Sequence, residues 1–239
     1  MKRALVTGGS GGIGAAICRR LAADGCHVIV HAHRGRAQAE AVVGEIVAGG
    51  GSAEAVVFDI TEREPTATAL ADLLAAGPIQ ILVNNAGIHA DAVFPGMSGE
   101  QWDRVIDVCL NGFFNVTRPL ILPMIRTRWG RVVSLSSVAA ITGNRGQVNY
   151  SAAKAALQAA SKSLALEVAS RGITVNAVAP GIIATGMADG AFDAATIRTL
   201  VPMQRAGKPE EVADLVGFLV SDQAAYISGQ VISINGALI

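Results

Sequence analysis

The chain opens with an aliphatic run and a glycine-rich turn, Ala4-Leu5-Val6-Thr7-Gly8-Gly9-Ser10-Gly11-Gly12-Ile13-Gly14, followed by a helical pattern. Strand, glycine-rich turn and helix, in this order, form the unit that holds a pyrophosphate in many α/β sheets. Gly8 and Gly12 allow a tight turn, and Gly14 allows close packing of helix on strand. We therefore predict a dinucleotide site at residues 7–14, where a helix N-terminus offers free N–H groups. A glycine-rich turn without a ligand is the alternative.

Aliphatic runs of strand length recur along the chain and alternate with helical patterns. The predicted strands are residues 4–6, 27–31, 55–58, 79–83, 131–135, 173–178 and 230–234, and the predicted helices are 13–23, 37–48, 66–75, 101–125, 150–170 and 209–220. Strands that are apolar on almost every residue are typical of a parallel sheet covered on both faces. We predict one α/β domain over residues 1–239, a doubly wound, Rossmann-type sheet of seven parallel strands, with a mobile substrate flap at 184–200.

The composition excludes several classes of protein. Of the 239 residues, 51% are hydrophobic and 16% charged, a balance typical of a folded domain. Lys and Arg number 19, as do Asp and Glu, which disfavours a nucleic-acid or anionic-membrane binder. Each apolar run is interrupted short of the roughly 18 residues of a membrane span. Cys18, Cys26 and Cys109 have no C-x-x-C spacing, so we predict no disulfide and no metal site, and a cytoplasmic location.

The end of the second predicted strand reads His31-Ala32-His33-Arg34 and contains no acid. An acid at this point would bind the ribose hydroxyls of NAD, whereas Arg34 with His33 can pair with a 2′-phosphate. This favours NADPH over NADH. His31 and His33 can equally be surface residues at a strand end, and a metal pair is disfavoured because no third ligand is near in sequence. Asp59, after the third strand, suits either an adenine edge or a helix cap.

Two polar residues on one predicted helix point to proton transfer. Tyr150 and Lys154 are four positions apart, so they share a helix face, and the ammonium can stabilise the phenolate. This pairing makes Tyr150 a candidate proton donor. Asn84-Asn85-Ala86-Gly87 and Ser136-Ser137 end the fourth and fifth predicted strands, at the edge where ligands bind in such sheets.

Together these motifs resemble the short-chain dehydrogenase/reductase family, over essentially the whole chain. The resemblance rests on residues 7–14, Asn84-Asn85-Ala86-Gly87, Ser137, Tyr150-Ser151-Ala152-Ala153-Lys154, and residues 176–185 with Pro180-Gly181. Within that family, residues 143–154, 172–176 and 228–236 are most similar to the 3-oxoacyl-(acyl-carrier-protein) reductases.

The resemblance implies a role for each matching residue. Tyr150 would protonate a carbonyl oxygen, Ser137 would orient that carbonyl, and Lys154 would bind the nicotinamide ribose and stabilise the phenolate. The implied cofactor is NADPH, with NADH the less favoured choice. The implied cofactor contacts are Gly8, Ser10, Gly11, Gly12, Ile13, Gly14, His33, Arg34, Asp59, Ile60, Asn85, Ala86, Gly87, Tyr150, Lys154, Pro180, Gly181, Ile183 and Thr185.

The sequence departs from the family at two positions. Gly11 stands where many members carry an Arg that helps hold the 2′-phosphate, so an NADPH preference would depend on His33 and Arg34. Cys109 stands where the family has a fourth catalytic residue, an Asn that holds a water through its backbone carbonyl. Asn111 cannot replace it, because two positions along a helix turn the side chain by about 200°. Since any residue keeps a backbone carbonyl, we expect activity to be reduced or retained, not abolished.

The resemblance also implies a substrate and partners. The substrate would be a 3-oxoacyl thioester, reduced to the (3R)-hydroxyacyl thioester in fatty-acid or related biosynthesis. Acyl carrier protein would dock at Arg126, Arg128 and Arg171 near the cleft mouth, although scattered arginines are often ordinary surface. A homotetramer would pair the long helices that begin at Gln101 and Tyr150, and the C-terminal strand and helix. The acyl pocket would include Phe94, Ile141, Gln147 and Met187.

Two other functions remain open at this stage. A reductase or dehydrogenase of the same fold can act on a CoA ester, a sugar or a small ketone, because the fold does not specify the carbon skeleton. A non-catalytic dinucleotide-binding subunit is the second alternative, and Cys109 is the residue that favours it.

Overall fold

The computed structural model describes residues 1–185 and 193–239, in which strands and helices alternate. The strands are β1 (Arg3–Val6), β2 (His27–Ala32), β3 (Ser52–Val57), β4 (Ile81–Asn84), β5 (Gly130–Leu135), β6 (Ile173–Pro180) and β7 (Val231–Ile234). The helices are α1 (Gly12–Ala23), α2 (Arg36–Ala48), α3 (Arg63–Ala75), α4 (Gly99–Ile106), α5 (Gly112–Thr127), α6 (Ala139–Thr142), α7 (Val148–Val168), α8 (Ala194–Leu200) and α9 (Pro209–Val220).

The seven strands form one sheet in the order β3-β2-β1-β4-β5-β6-β7, and every neighbouring pair is parallel. This confirms the predicted doubly wound α/β sheet. The chain winds from β1 outward to β3, then returns to β4 and winds the other way. A crevice therefore opens between the carboxyl ends of β1 and β4, where such sheets bind their ligands.

Apolar side chains pack on both faces of the sheet, as its nearly continuous hydrophobic strands require. One core joins α1, α2 and α9 to the sheet, and the other joins α3, α5 and α7 to its opposite face. Every residue of the central strands β4, β5 and β6 is buried. The edge strand β3 is only half-buried along its length. Because this strand is only half-buried, it tolerates polar residues such as Ser52 and Glu54 near its start. The strand predicted from apolar residues therefore began three residues late.

The long helix predicted over residues 101–125 is divided. A π-helical segment, Asp107–Asn111, separates α4 from α5 without ending the helical path. The combined stretch Gly99–Thr127 is long and apolar enough to cross a membrane by length and composition alone, with a mean hydropathy of 1.3 over its most apolar window. The stretch was not recognised in the sequence, because polar residues interrupt its apolar runs. Core helices meet the same two criteria, and here Val116, Leu120 and Met124 are fully buried against the sheet.

Two short helices, α6 and α8, were not predicted, because neither is long enough to show a helical period. Helix α8 occupies the second half of the predicted flap at 184–200, and Asp193 caps its first turn by accepting a hydrogen bond from Thr196 N at 2.7 Å. The centre of the predicted flap, including Met187, lies outside the described residues.

Candidate active site

The glycine-rich turn between β1 and α1 has the backbone that only glycine adopts freely. Gly8 and Gly12 have φ angles of +62° and +54°. A Cβ atom on Gly14 would collide with the carbonyl oxygen of Gly8 and lie 2.6 Å from Asn85 Nδ2. Gly11 is different, because its backbone is extended and nothing lies within 4 Å of the place where its Cβ would be. The turn is therefore a cradle of bare backbone beside the N-terminus of α1.

The turn after β4 holds this cradle from one side. The Asn85 side chain donates from Nδ2 to the carbonyl oxygens of Thr7 and Gly8, at 2.9 and 3.0 Å. Thr7 Oγ1 accepts from the backbone N–H groups of Asn85 and Ala86, both at 3.0 Å. The Asn85 amide, predicted to line the cofactor, is thus used to build the glycine-rich turn.

The residues predicted to lie at the adenine end of the dinucleotide follow β2 and β3. His33 Nε2 lies 3.0 Å from Asp59 Oδ2, and Thr61 donates to Asp59 Oδ1 from both its backbone N–H and its hydroxyl. Although burial opposes it, these Thr61 hydrogen bonds and the charges of His33 and Arg34 hold the pKa of Asp59 below its usual range. Arg34 is exposed and Ile60 is buried. The structure brings together all four residues predicted for this end.

His31 is not the surface residue that the sequence allowed. It is 1% exposed, while His33, two positions on, is exposed. Both ring nitrogens of His31 already have partners, the backbone nitrogen of Gly8 and the carbonyl oxygen of Phe58. Among residues 1–185 and 193–239, no group of three or more His, Cys, Asp or Glu side chains is placed to hold a metal ion.

Tyr150 and Lys154 share one face of α7, as their spacing predicts. Lys154 Nζ lies 5.7 Å from the centre of the Tyr150 ring and donates to the carbonyl oxygen of Leu135 at 2.7 Å. Leu135 ends β5 two residues before Ser137, whose Oγ accepts from Ala139 N at 3.2 Å. The three predicted catalytic residues are therefore placed around the carboxyl end of β5.

Lys154 is almost fully buried and is enclosed by the turn after β4 as well. It is 3% exposed, and a Cβ atom on Gly87 would lie 3.0 Å from its Nζ. Any side chain at residue 87 would thus push against the ammonium group. Glycine here lets the β4 turn and α7 approach each other at the base of the cleft.

Ser136, Asn149 and Gln158 position this cluster, and of these only Ser136 stood out in the sequence, beside Ser137 at the end of β5. Ser136 Oγ donates to the carbonyl oxygen of Lys154 at 3.0 Å and accepts from Gln158 Nε2 at 2.8 Å. Asn149, fully buried, donates to the carbonyl oxygens of Ala90 and Gln101 and accepts from the N–H of Tyr150. Their only sequence signal is a polar residue one position before, or four after, a candidate catalytic residue.

Cys109 lies in the π-helical segment, buried beside the same cluster. Its Sγ is 3.6 Å from the carbonyl oxygen of Ile88, a weak hydrogen bond at most. A Cβ atom on Gly87 would be 3.6 Å from this sulfur. Asn111 is exposed and donates to Asp107 Oδ1 at 2.6 Å, so its side chain points away from the cluster, as predicted from the helical turn.

The segment after β6 forms the other wall of the cleft. Pro180 ends β6, and a Cβ atom on Gly181 would lie 2.8 Å from that of Asn235. Ile183 pairs with Gly207 as an isolated parallel bridge. Thr185 Cγ2 lies 3.6 Å from the place where a Cβ of Gly12 would be, so this wall reaches the glycine-rich turn. Phe94 and Ile141, predicted to line the acyl pocket, are both largely exposed.

In a single chain, the three arginines predicted at the cleft mouth lie far from the cleft. Arg126 is in the last turn of α5, Arg128 comes just before β5 and Arg171 just before β6, so all three are at the amino edge of the parallel sheet. Arg128 donates to the carbonyl oxygen of Ser170 at 3.3 Å, which brings it close to Arg171. The six residues of β5 span about 20 Å. These arginines are therefore remote from Ser137, and the predicted placement is wrong for one chain.

The residues present fit a dinucleotide. The glycine-rich turn is a cradle that a Cβ would fill, the N-terminus of α1 adjoins it, and a basic residue, Arg34, follows β2. The fold and this cleft define a doubly wound, dinucleotide-binding α/β protein.

The comparison with known proteins gives the family. The chain belongs to the short chain dehydrogenase family, whose model matches residues 2–195. It is 46% identical over 236 residues to the 3-oxoacyl-[acyl-carrier-protein] reductase FabG of Aggregatibacter actinomycetemcomitans, covering 98% of each chain. It is 44% identical over 238 residues to the 3-oxoacyl-[acyl-carrier-protein] reductase of a Synechocystis species, covering 99% of this chain and 96% of that one.

A third relative has a different name. The chain is 42% identical over 240 residues to nodulation protein G of Azospirillum brasilense, covering 99% of this chain and 98% of that one. The family and the similarity to the carrier-protein reductases confirm the resemblance found from the motifs. Members of this family bind a nicotinamide dinucleotide, and the cleft between β1 and β4 is the place for it.

Proposed function

We propose that this protein is an NADPH-dependent oxidoreductase that reduces a 3-oxoacyl thioester, carried on acyl carrier protein, to the (3R)-hydroxyacyl thioester in fatty-acid or related biosynthesis. The observation that carries the proposal is the position of Tyr150 and Lys154 on α7, beside the end of β5 and the glycine-rich turn. The similarity to reductases of this substrate class supports the choice of acyl thioester.

The side chains divide the work of a carbonyl reduction. A nicotinamide dinucleotide, when bound, supplies a hydride to the C3 carbonyl carbon. The Tyr150 hydroxyl donates a proton to the carbonyl oxygen, and Ser137 donates a hydrogen bond that orients the same oxygen. Lys154, buried next to Gly87, stabilises the phenolate that Tyr150 leaves behind. Hydride and proton together convert the ketone to the alcohol.

The choice of NADPH rests on the charge after β2. His33 and Arg34 are exposed there, His33 Nε2 lies 3.0 Å from Asp59 Oδ2, and no acid follows the strand to bind both ribose hydroxyls. A guanidinium is well suited to a 2′-phosphate. Asp59 is held by His33 and Thr61, which partly offset the repulsion between its carboxylate and the phosphate.

The proposed carrier docking requires a second copy of the chain. Arg126, Arg128 and Arg171 lie at the edge opposite the cleft, so a carrier bound to them could serve only the cleft of a neighbouring subunit. The proposed homotetramer is supported by exposed apolar side chains. They lie on the helices and the C-terminal segment that are expected to pair between subunits: Leu122, Leu166, Phe218 and Tyr226. The three cysteines are free and buried, which is consistent with a reducing cytoplasm.

The first experiment follows NADPH and NADH oxidation by absorbance, with a short 3-oxoacyl thioester presented free and on acyl carrier protein. Tyr150→Phe should lower kcat by about 10²- to 10⁴-fold, because it removes the proton donor, and should leave NADP+ affinity nearly unchanged. Tyr226→Phe is the matched control, since Tyr226 is the only other tyrosine and phenylalanine keeps the apolar ring of this exposed side chain. NADP+ binding without turnover of any 3-oxoacyl thioester would contradict the proposal and favour another carbonyl substrate or a non-catalytic subunit.

A second experiment tests docking. Arg128→Ala with Arg171→Ala should raise KM for the carrier-bound substrate and spare the free thioester. Arg19→Ala with Arg36→Ala removes two exposed arginines from α1 and α2 as a charge-matched control. Equal effects on both substrates would overturn docking at this patch.

A further inference from the structure

One buried histidine beside the cleft forms hydrogen bonds through both ring nitrogens but has no part in the proposed chemistry. His31 lies near the end of β2 and is 1% exposed. Its Nδ1 is 3.2 Å from the backbone nitrogen of Gly8, and its Nε2 is 2.9 Å from the carbonyl oxygen of Phe58. The His31 and Phe58 rings are 4.3 Å apart between centres.

These two contacts specify one form of the imidazole. A backbone N–H can only donate, so Nδ1 must accept from Gly8, and a carbonyl oxygen can only accept, so Nε2 must carry the proton. Only the neutral Nε2–H tautomer meets both conditions. Burial lowers the pKa of His31 to about 4, which keeps the ring neutral, and the charged or titratable groups nearest to it are His33 and Asp59.

The two bonded groups belong to two separate segments that border the dinucleotide cleft. Gly8 is the first residue of the glycine-rich turn, and Phe58 precedes Asp59 and Ile60 at the adenine end. The backbone carbonyl of His31 also accepts from Gly9 N at 2.8 Å. His31 therefore ties the glycine-rich turn to the segment that follows β3.

Gly8 is held from two directions as a result. Its N–H donates to His31, and its carbonyl oxygen accepts from Asn85. Side chains from β2 and from the turn after β4 thus orient the groups on both sides of a residue whose φ is +62°. Loss of one bond would leave a part-buried N–H unpaired and free the peptide to rotate.

We propose that His31, as the neutral Nε2–H tautomer, is a positioning residue that sets the glycine-rich turn and the adenine segment in their binding arrangement before the dinucleotide arrives. The inference rests on the proposed dinucleotide function. A cleft ordered in advance binds with less loss of conformational freedom, so His31 should contribute to affinity without touching the ligand.

His27 provides a matched control on the same strand. It lies four residues earlier, on the same face, and also bridges β2 to β3, with Nδ1 2.7 Å from Ser52 Oγ and Nε2 3.1 Å from Glu54 Oε1. Its bridge is at the amino end of the strands, remote from the glycine-rich turn. Replacing His27 removes a similar contact without touching the cleft.

The test measures the NADP+ dissociation constant of the full chain by calorimetry, with thermal unfolding in parallel. His31→Leu should weaken NADP+ binding about tenfold or more, and His27→Leu should leave it within about twofold while lowering the unfolding temperature. In His31→Asn the amide oxygen can still accept from the N–H of Gly8, but the side chain is too short to reach Phe58. In His31→Gln the amide can still donate to the carbonyl oxygen of Phe58, but the N–H of Gly8 loses its acceptor. Asn should therefore retain more affinity than Gln.

A measurement on the wild-type protein keeps the proposal testable if His31→Leu does not fold. Nitrogen NMR of the imidazole, without nucleotide, should show the Nε2–H tautomer at pH 7. The opposite tautomer would overturn the proposal, as would unchanged NADP+ affinity in His31→Leu or equal weakening in His27→Leu. If the wild type itself binds no dinucleotide, the proposed function fails, and the inference with it.

Discussion

The two edges of the sheet both carry polar side chains but use them differently. At the amino edge, Trp129 contacts two cations, with Lys2 Nζ 3.7 Å and Arg131 Cζ 4.3 Å from ring centres of the indole. Asp222 accepts from all three, including Trp129 Nε1 at 3.1 Å. These groups satisfy one another and close the edge.

At the carboxyl edge, polar side chains bind the backbone of the loops around the cleft. Asn85 holds the carbonyls of the glycine-rich turn, His31 holds an N–H of the same turn, and Asn149 holds the loop before α4. This arrangement leaves Tyr150 and the bare backbone of the turn to face the cleft. The polar cluster around Trp129 therefore stabilises the amino edge, whereas Asn85, His31 and Asn149 fix the shape of the cleft.

The largest expected effect comes from filling the cradle. Gly14→Ala should destabilise the fold by about 3 kcal/mol and abolish measurable NADP+ binding, because its Cβ would collide with Gly8. Gly44→Ala is the matched control, since Gly44 lies exposed in α2 with nothing within 4 Å of a Cβ. That change should stabilise the protein by roughly 0.5–1 kcal/mol. Denaturant unfolding and calorimetry measure both, and normal NADP+ binding by Gly14→Ala would disprove the cradle.

Acid should weaken the carboxyl edge through His31. Its folded-state pKa is about 4, below the usual 6.5 of an unfolded chain, so the unfolded state binds a proton first as the pH falls. The stability from the neutral ring is therefore complete above about pH 6.5 and is lost towards pH 4, by about 2 kcal/mol at pH 5. Unfolding of wild type and His31→Asn from pH 8 to 5 measures the loss. Equal slopes for the two proteins would show that His31 is not its source.

Much of this cleft could be predicted because its sequence signals are local. The glycines at 8, 12 and 14, and Tyr150 with Lys154, lie within single turns, and their spacing alone places them on one loop or one helix face. The apolar strands likewise indicated a parallel sheet. Those predictions need no contact between distant parts of the chain.

The contacts of His31 could not be predicted, because its partners are backbone atoms 23 and 27 residues away. No residue type at Gly8 or Phe58 signals that an imidazole will bind there. The π-helical segment around Cys109 is hidden for another reason, since five residues are too few to distinguish its period from that of an α-helix. The position of Arg128 and Arg171 could have been predicted from the sequence, however, because both precede predicted strands and so lie at the amino edge.

A smaller effect is expected from removing the Asp222 carboxylate at the amino edge. Asp222→Asn should cost about 1 kcal/mol of stability, because the Asp222 side chain is largely exposed and Arg131 keeps its hydrogen bonds to the carbonyls of Gly130 and Gly172. Both kcat and NADP+ affinity should stay unchanged, because this edge is a strand's length from the cleft. Kinetics with the 3-oxoacyl thioester and thermal unfolding test this pair of expectations. A fall in kcat without a loss of stability would show that the two edges are coupled.

A modest effect, on kcat alone, should follow Cys109→Asn, which changes a side chain beside the catalytic cluster. Cys109 contributes a buried, weakly bonded thiol, and its backbone carbonyl survives any substitution in the π-helical segment. We expect kcat to change by less than about tenfold and NADP+ affinity to stay the same. Turnover of the 3-oxoacyl thioester by both proteins is the measurement. A wild-type protein without turnover that becomes fully active as Cys109→Asn would show instead that the asparagine side chain is needed and that this chain has lost its proton relay.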